Sequence, residues 1–356
     1  MKKKRIIWIE LLRIAACLSV VLIHTASQHF RDIPIDTFTW KVSNFYHGFL
    51  RFTVPSFIMI SGCLYLNKNR TWQLKKLWLR NILPVAAAYV FWQIFYSAYR
   101  IIVSGGLERG GVWVMKKMLV NISSAYFHLW YLPMLIGLMI ITPLLWEFVN
   151  CKRGKQWEEY LLILFMIMKL LPYTITNLPL PWADHLEVLT STVQPGLVTD
   201  LTGYYILGHY LYEYGLPKKL ERIVYGLGLA LILAAVWLCQ WRSIALDRPV
   251  QVFYENYTIC TFIWTAAVFL FFKNYLGKIE WSEKAGNIIC YIGGTTFGVY
   301  LVHAFFRDVL HRMGFDSLII GNTILSVPMV ASVILILSFL AVVIIRRIPL
   351  LGKWIV

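Results

Sequence analysis

The sequence predicts an all-α polytopic membrane protein, a bundle of about ten transmembrane helices with both termini cytoplasmic. Three observations carry that prediction. The chain is 59% hydrophobic and only 15% charged over 356 residues, a balance unlike that of soluble domains of this length. Apolar runs approaching the ~20 residues that a helix needs to cross a bilayer recur from end to end. The Lys and Arg residues gather in alternate connecting stretches.

Taken in order, the apolar runs place spans near 6–27, 45–66, 82–103, 127–149, 158–173, 198–213, 222–240, 256–273, 288–311 and 323–346. The first is too long, and too rich in polar groups, for a cleaved signal peptide, and no small-residue cleavage site followed by a soluble domain appears. Orientation comes from the connections. Cations crowd the N-terminus (Lys2 to Arg5), the second loop (Lys68, Arg70, Lys75, Lys76, Arg80), the fourth (Lys152, Arg153, Lys155), the sixth (Lys218, Lys219, Arg222), the eighth (Lys273, Lys278, Lys284) and the C-terminus (Arg346, Arg347, Lys353). The positive-inside bias puts these in the cytoplasm. The fifth loop, with Asp184, Glu187 and Asp200, fits the outside, whereas Arg109, Lys116 and Lys117 in the third loop fit it poorly. Trp and Tyr cluster near span ends, as interfacial belts require. No linker or soluble appendage interrupts the pattern, so residues 1–356 read as one membrane domain.

The net charge of +16 follows from this loop bias. The cations form no basic stripe interleaved with aromatics, which excludes nucleic acid as a partner; lipid is the expected surroundings. Cys17, Cys63, Cys151, Cys239, Cys260 and Cys290 stand singly, mostly inside spans, without the spacing of a metal site or disulfide framework. No metal is expected.

The first span carries Glu10, Arg13 and His24 in an otherwise lipid-compatible run, and an ionisable residue inside a span is a hypothesis about function. Arg13 and His24 stand eleven residues apart, which is three turns plus ~20°, so they share one face roughly 16 Å apart. Glu10, three residues before Arg13, can pair with it. With the topology above, His128 opens the fourth span from the outside, in His-Leu-Trp-Tyr-Leu-Pro. His303 lies in the outer half of the ninth span, with Arg307 a turn further out. Three histidines from distant segments thus fall at one depth. Arg80 lies at the inner mouth of the third span. The expected picture is a polar track with a basic inner entrance and a histidine-lined outer chamber. Plainer readings stand beside it. His128, Trp130 and Tyr131 would also suit an interfacial belt, Lys75, Lys76 and Arg80 would serve as topology determinants, and Ser61-Gly62 would serve as a helix-packing contact. Arg51 and Lys169 have no evident role.

At these residues the chain resembles a family, the membrane-bound acyltransferase-3 proteins that O-acylate cell-surface glycans. The resemblance rests on four segments in order: Arg13, ten residues, then His24; Phe57-Ile58-Met59-Ile60-Ser61-Gly62; His128-Leu129-Trp130-Tyr131-Leu132; and Thr296-Phe297-Gly298-Val299-Tyr300-Leu301-Val302-His303. Tyr204 to Leu211 also looks like a family segment. Two departures stand out: Glu10 occupies a position where Asp is frequent, and no SGNH hydrolase-like domain follows the spans. The second implies action without another acyl-handling step, or with a separate partner protein.

The resemblance implies acetyl-CoA as donor and a hydroxyl of a glycan or lipid-linked glycan as acceptor, in a bacterial plasma membrane, with glycan-assembly proteins as possible partners. On that basis His24 is the expected general base, or alternatively the site of a transient acetyl-histidine. Arg13, with Lys75, Lys76 and Arg80, would hold the donor's phosphates, Glu10 fixing Arg13. His128 and His303 would bind the acceptor or stabilise the oxyanion, and Trp130 and Tyr131 would stack on a sugar. The rival reading is an exporter of polysaccharide or a small metabolite, which inverted repeats with broken helices would favour; no clear pair of repeats is visible.

Overall fold

The structure, a computed structural model, describes residues 5–124, 126–178, 180, 200–349 and 351–356. Among them there is no strand, and nine helical stretches are long and apolar enough to cross a membrane. The longer helices are α1 (Ile7–Ala26), α2 (Phe38–Phe49), α3 (Thr53–Tyr65), α4 (Leu83–Val103), α5 (Gly111–Ser123), α6 (Tyr131–Asn150), α7 (Gly154–Phe165), α8 (Thr202–Glu213), α9 (Lys218–Leu246), α10 (Ile259–Asn274), α11 (Glu283–Arg312) and α12 (Thr323–Ile345).

Local chemistry explains where several of these begin and bend. Thr37, Thr258, Ser282 and Asn322 cap α2, α10, α11 and α12 by accepting a backbone N–H one turn into the helix. Two π-helical turns, Trp78–Ile82 and Met166–Leu170, each run up to a proline, Pro84 and Pro172. A proline offers no N–H to the carbonyl four residues back, and the wider turn absorbs the mismatch.

Arg5 donates to the Cys290 carbonyl and Arg346 to the Gly294 carbonyl. The start of α1 and the end of α12 therefore lie beside the same turn of α11, at one face, called inner below after the cation bias. This pairing of the two ends agrees with an even number of passes.

Two elements differ in form from the simple spans and loops expected. The sixth predicted span, 198–213, begins on residues outside the described ones, and its described part is α8, twelve residues long and so about 18 Å; it runs from the outer cavity, where Tyr204 donates to the Asn256 carbonyl, to the inner loop, where Glu213 pairs with Lys68. It is buried almost all round: Tyr204, Tyr205 and Ile206 are essentially inaccessible. Its backbone presses on α3, since a Cβ on Gly62 would lie 1.8 Å from the Tyr205 carbonyl oxygen, and one on Gly208 would lie 2.1 Å from that of Met59. Only glycine permits this approach. The third loop is also no simple loop. Its α5 runs back along the outer end of α4: Ser97 donates to the Met118 carbonyl and Gln93 to that of Ile122, while Gln93 Oε1 accepts the Tyr126 N–H. His128 therefore sits in the turn between α5 and α6, about 15 Å below the outer end of α4, and not at an open mouth. Lys116 and Lys117 are exposed on α5.

Candidate functional site

The predicted stripe on α1 forms one wall of two cavities. At its inner end Glu10 is buried and holds two cations, Arg13 at 3.2 Å and Arg5 at 3.7 Å. It fits against α11 because residue 293 is glycine: a Cβ there would fall 2.3 Å from Glu10 Oε2. Glu10 lines neither cavity and is the arginines' anchor. Arg5 and Arg13 line an inner cavity of about 310 Å³, together with Ser61, Tyr65 and the glycines 293 and 294. Two guanidiniums share one carboxylate there, so the chamber keeps a net positive charge suited to an anion.

At the outer end, His24 Nδ1 lies 2.8 Å from His303 Nε2, and His303 Nδ1 lies 2.6 Å from the Tyr300 carbonyl oxygen. A carbonyl can only accept, so His303 Nδ1 carries the hydrogen. Its Nε2 is then the acceptor for His24 Nδ1–H, and in the neutral pair His24 Nε2 is left with a free lone pair. This tautomer assignment follows from the bonding pattern. His24 lines an outer cavity of about 290 Å³ with Arg51, His128, Trp130, Glu255 and Asn256.

Three breaks in the helices meet at this cavity: residue 51 between α2 and α3, residues 126–130 between α5 and α6, and residues 247–258 before α10. Irregular backbone is tolerated at such depth only where it is buried in protein or lines a cavity. The last of these is fastened by Arg51 Nη2, 2.7 Å from Glu255 Oε1, and by Tyr254, whose hydroxyl donates to Asn44 Oδ1.

His128 is 2% exposed and its ring packs 5.1 Å from that of His303, centroid to centroid, with Tyr96, Tyr126 and Tyr300 around it. The Tyr300 hydroxyl donates to the His128 carbonyl. Neither His128 ring nitrogen makes a hydrogen bond of good geometry, although the Leu301 backbone lies close by. A buried polar group left unpaired costs about 1–3 kcal/mol, which a substrate contact would offset. Arg307 lies over Phe127, 4.5 Å from the ring centroid.

The structure thus brings Arg13, His24, His128, Trp130 and Tyr131 onto cavity walls. It places His303 behind His24, fully buried and lining neither cavity, so any effect it has on the reacting groups passes through its neighbours His24 and His128. It leaves Lys75, Lys76 and Arg80 exposed and off both walls; Arg5 stands where they were expected. Ser61-Gly62 fills both of its readings, Ser61 on the inner cavity and Gly62 in the α3–α8 contact. Sequence reasoning missed Arg5, Arg51, Glu255 and Tyr300. Arg51 is a cation inside the second predicted span, and its partner lies 204 positions away. Lys169 lies 4.5 Å from the Tyr257 ring centroid, away from the cavities.

Val20, Val54, Tyr131 and Tyr300 belong to both cavity walls, so the cationic chamber and the histidine chamber adjoin end to end. No curated protein and no solved structure matches the chain. A family model described as an acyltransferase domain matches residues 6–347, a range that holds every wall residue named above except Arg5, and the chain belongs to the acyltransferase-3 family.

Proposed function

We propose that this membrane acyltransferase carries an acetyl group from cytoplasmic acetyl-CoA to a hydroxyl of a glycan or lipid-linked glycan, with His24 as general base. The reading rests above all on one observation: the hydrogen-bonded line from the Tyr300 carbonyl through His303 to His24, which turns the His24 Nε2 lone pair loose beside a cavity. The donor's phosphates bind at Arg5 and Arg13, and its thioester arm reaches along the shared wall toward His24. His24 Nε2 takes the sugar hydroxyl's proton as the oxygen attacks the thioester carbonyl. The tetrahedral intermediate expels the thiolate, which takes that proton from the imidazolium, leaving the ester and free thiol. The unpaired His128 ring is the donor for the oxyanion. Trp130, with the Arg51–Glu255 pair and Asn256, forms a mixed aromatic and polar surface suited to a sugar. Within the family, the first span resembles that of the O-acetyltransferase of enterobacterial common antigen, which makes that class of glycan the first acceptor to try. The setting is a bacterial plasma membrane, with glycan-assembly proteins as partners.

Broken helices around a chamber also suit a transporter, and one experiment separates the two. Radiolabelled acetyl-CoA is supplied only on the cytoplasmic side of sealed vesicles, and label is followed into glycan for wild type and His24→Ala. Labelled glycan from wild type alone supports the acyltransferase with His24 in its mechanism. Unlabelled glycan crossing equally with both proteins replaces it with export.

A further inference from the structure

At the outer end of the bundle, away from both cavities, three ligand-type side chains converge. His29 sits in the turn after α1, His311 in the last turn of α11, and Asp316 in the loop that follows. His29 Nε2 and His311 Nδ1 lie 2.9 Å and 3.1 Å from the same oxygen, Asp316 Oδ2, and the three ligand atoms all fall within 4.8 Å of one another. The two rings meet edge to face with centroids 5.2 Å apart.

We propose that His29, His311 and Asp316 bind a divalent ion of the Zn²⁺ class. Two imidazoles and a carboxylate are a donor set of the kind zinc takes, with a fourth position open to water. In a tetrahedral site with bonds near 2.0–2.1 Å, neighbouring ligand atoms stand ~3.3 Å apart. The two distances to Asp316 fall a few tenths of an ångström short of this and all three atoms lie within 4.8 Å, so modest side-chain adjustments admit the ion. The carboxylate is already oriented, because Asp316 Oδ1 accepts the Leu318 N–H at 2.9 Å and Gln28 Oε1 holds the next residue's N–H at 3.1 Å. Such supporting bonds are what fix ligands in metal sites. The side chains are 21%, 41% and 15% exposed for His29, His311 and Asp316, so the ion enters from the outer face without opening the bundle. The bound ion ties the end of α1 to the end of α11, the two helices that carry His24 and His303. No sequence spacing signals this site, because its ligands come from opposite ends of the chain.

The test uses purified, tag-free protein in detergent, stripped with chelator and dialysed against Zn²⁺ alone, with metal content read by mass spectrometry. Wild type is expected to retain about one Zn²⁺ per chain, and Asp316→Asn and His311→Ala at least tenfold less. Co²⁺ in place of Zn²⁺ should give visible tetrahedral absorption bands in wild type that both variants lose. Wild type retaining no more metal than Asp316→Asn would overturn the proposal and leave the cluster a set of hydrogen bonds. Equal retention by all three proteins would also overturn it. Asp316→Asn keeps the shape of the site, so it decides the matter if His311→Ala fails to insert. The readout needs no substrate and is independent of the acyl-transfer reading.

Discussion

The inner and outer cavities share four wall residues, one on each of four helices, yet they are built for different tasks. The inner one depends on charge. Arg5 and Arg13 divide a single carboxylate, and a flexible anion need only find the positive field. The outer one depends on the placement of individual atoms. His24 has its proton position set by His303, whose own is set by a carbonyl that cannot donate. Losing a charge from a diffuse field should weaken binding by degrees. Losing one atom from a fixed line should stop the chemistry.

That contrast can be broken at five places. The largest effect is expected from His24→Ala, a fall in acetyl transfer of about 10³-fold with unchanged membrane insertion; turnover within tenfold of wild type would remove His24 from the reaction. Next comes His303→Ala, which frees the His24 tautomer: kcat should fall about 10²-fold while KM for the donor holds. His303→Gln, which can still accept the His24 N–H, should recover part of the loss. A merely structural role for His303 would show no such rescue. Arg13→Ala should raise the donor KM about tenfold, one charge-assisted contact's worth, with kcat within about threefold, and should flatten the salt dependence of KM. Gly293→Ala, which displaces Glu10 without touching either arginine, should move the same parameter. Arg5→Ala is the mildest, about threefold in KM, because its side chain is 49% exposed and its ion pair is well solvated. A kcat defect from Arg13→Ala or Arg5→Ala matching that of His303→Ala would erase the distinction between the two chambers.

The part of this arrangement that lies along one helix was legible in the sequence. Arg13 and His24 announce their common face by spacing alone, and Glu10 its pairing by being one turn away. The alternating cations gave the even number of passes that the Arg5 and Arg346 contacts with α11 agree with. What spacing along the chain cannot show is pairing between distant segments. Arg51 and Glu255 are each unremarkable until the chain places them 2.7 Å apart. Lys116 and Lys117 made α5 look like a loop, and so hid the turn that buries His128. The polarity of Tyr204, Tyr205 and His209 did not reveal that α8 is a short interior helix, because burial against α3 and burial in lipid favour similar residues. Lys75, Lys76 and Arg80 show the opposite failure: a strong local charge signal that faces away from the cavities.

The four residues common to both cavities have a further consequence, which concerns insulation. A membrane that sustains a voltage cannot tolerate a continuous wet column through one of its proteins, since each elementary charge gains about 2.3 kcal/mol per 100 mV in crossing. Where the two chambers adjoin, the lining is Val20, Val54, Tyr131 and Tyr300, two valine side chains and two aromatic rings. An uncharged, flexible arm should pass such a junction more readily than a hydrated ion. On the proposed function, the side chains that let the chambers share a wall are also the ones that would limit ion leak through an enzyme acting across the bilayer.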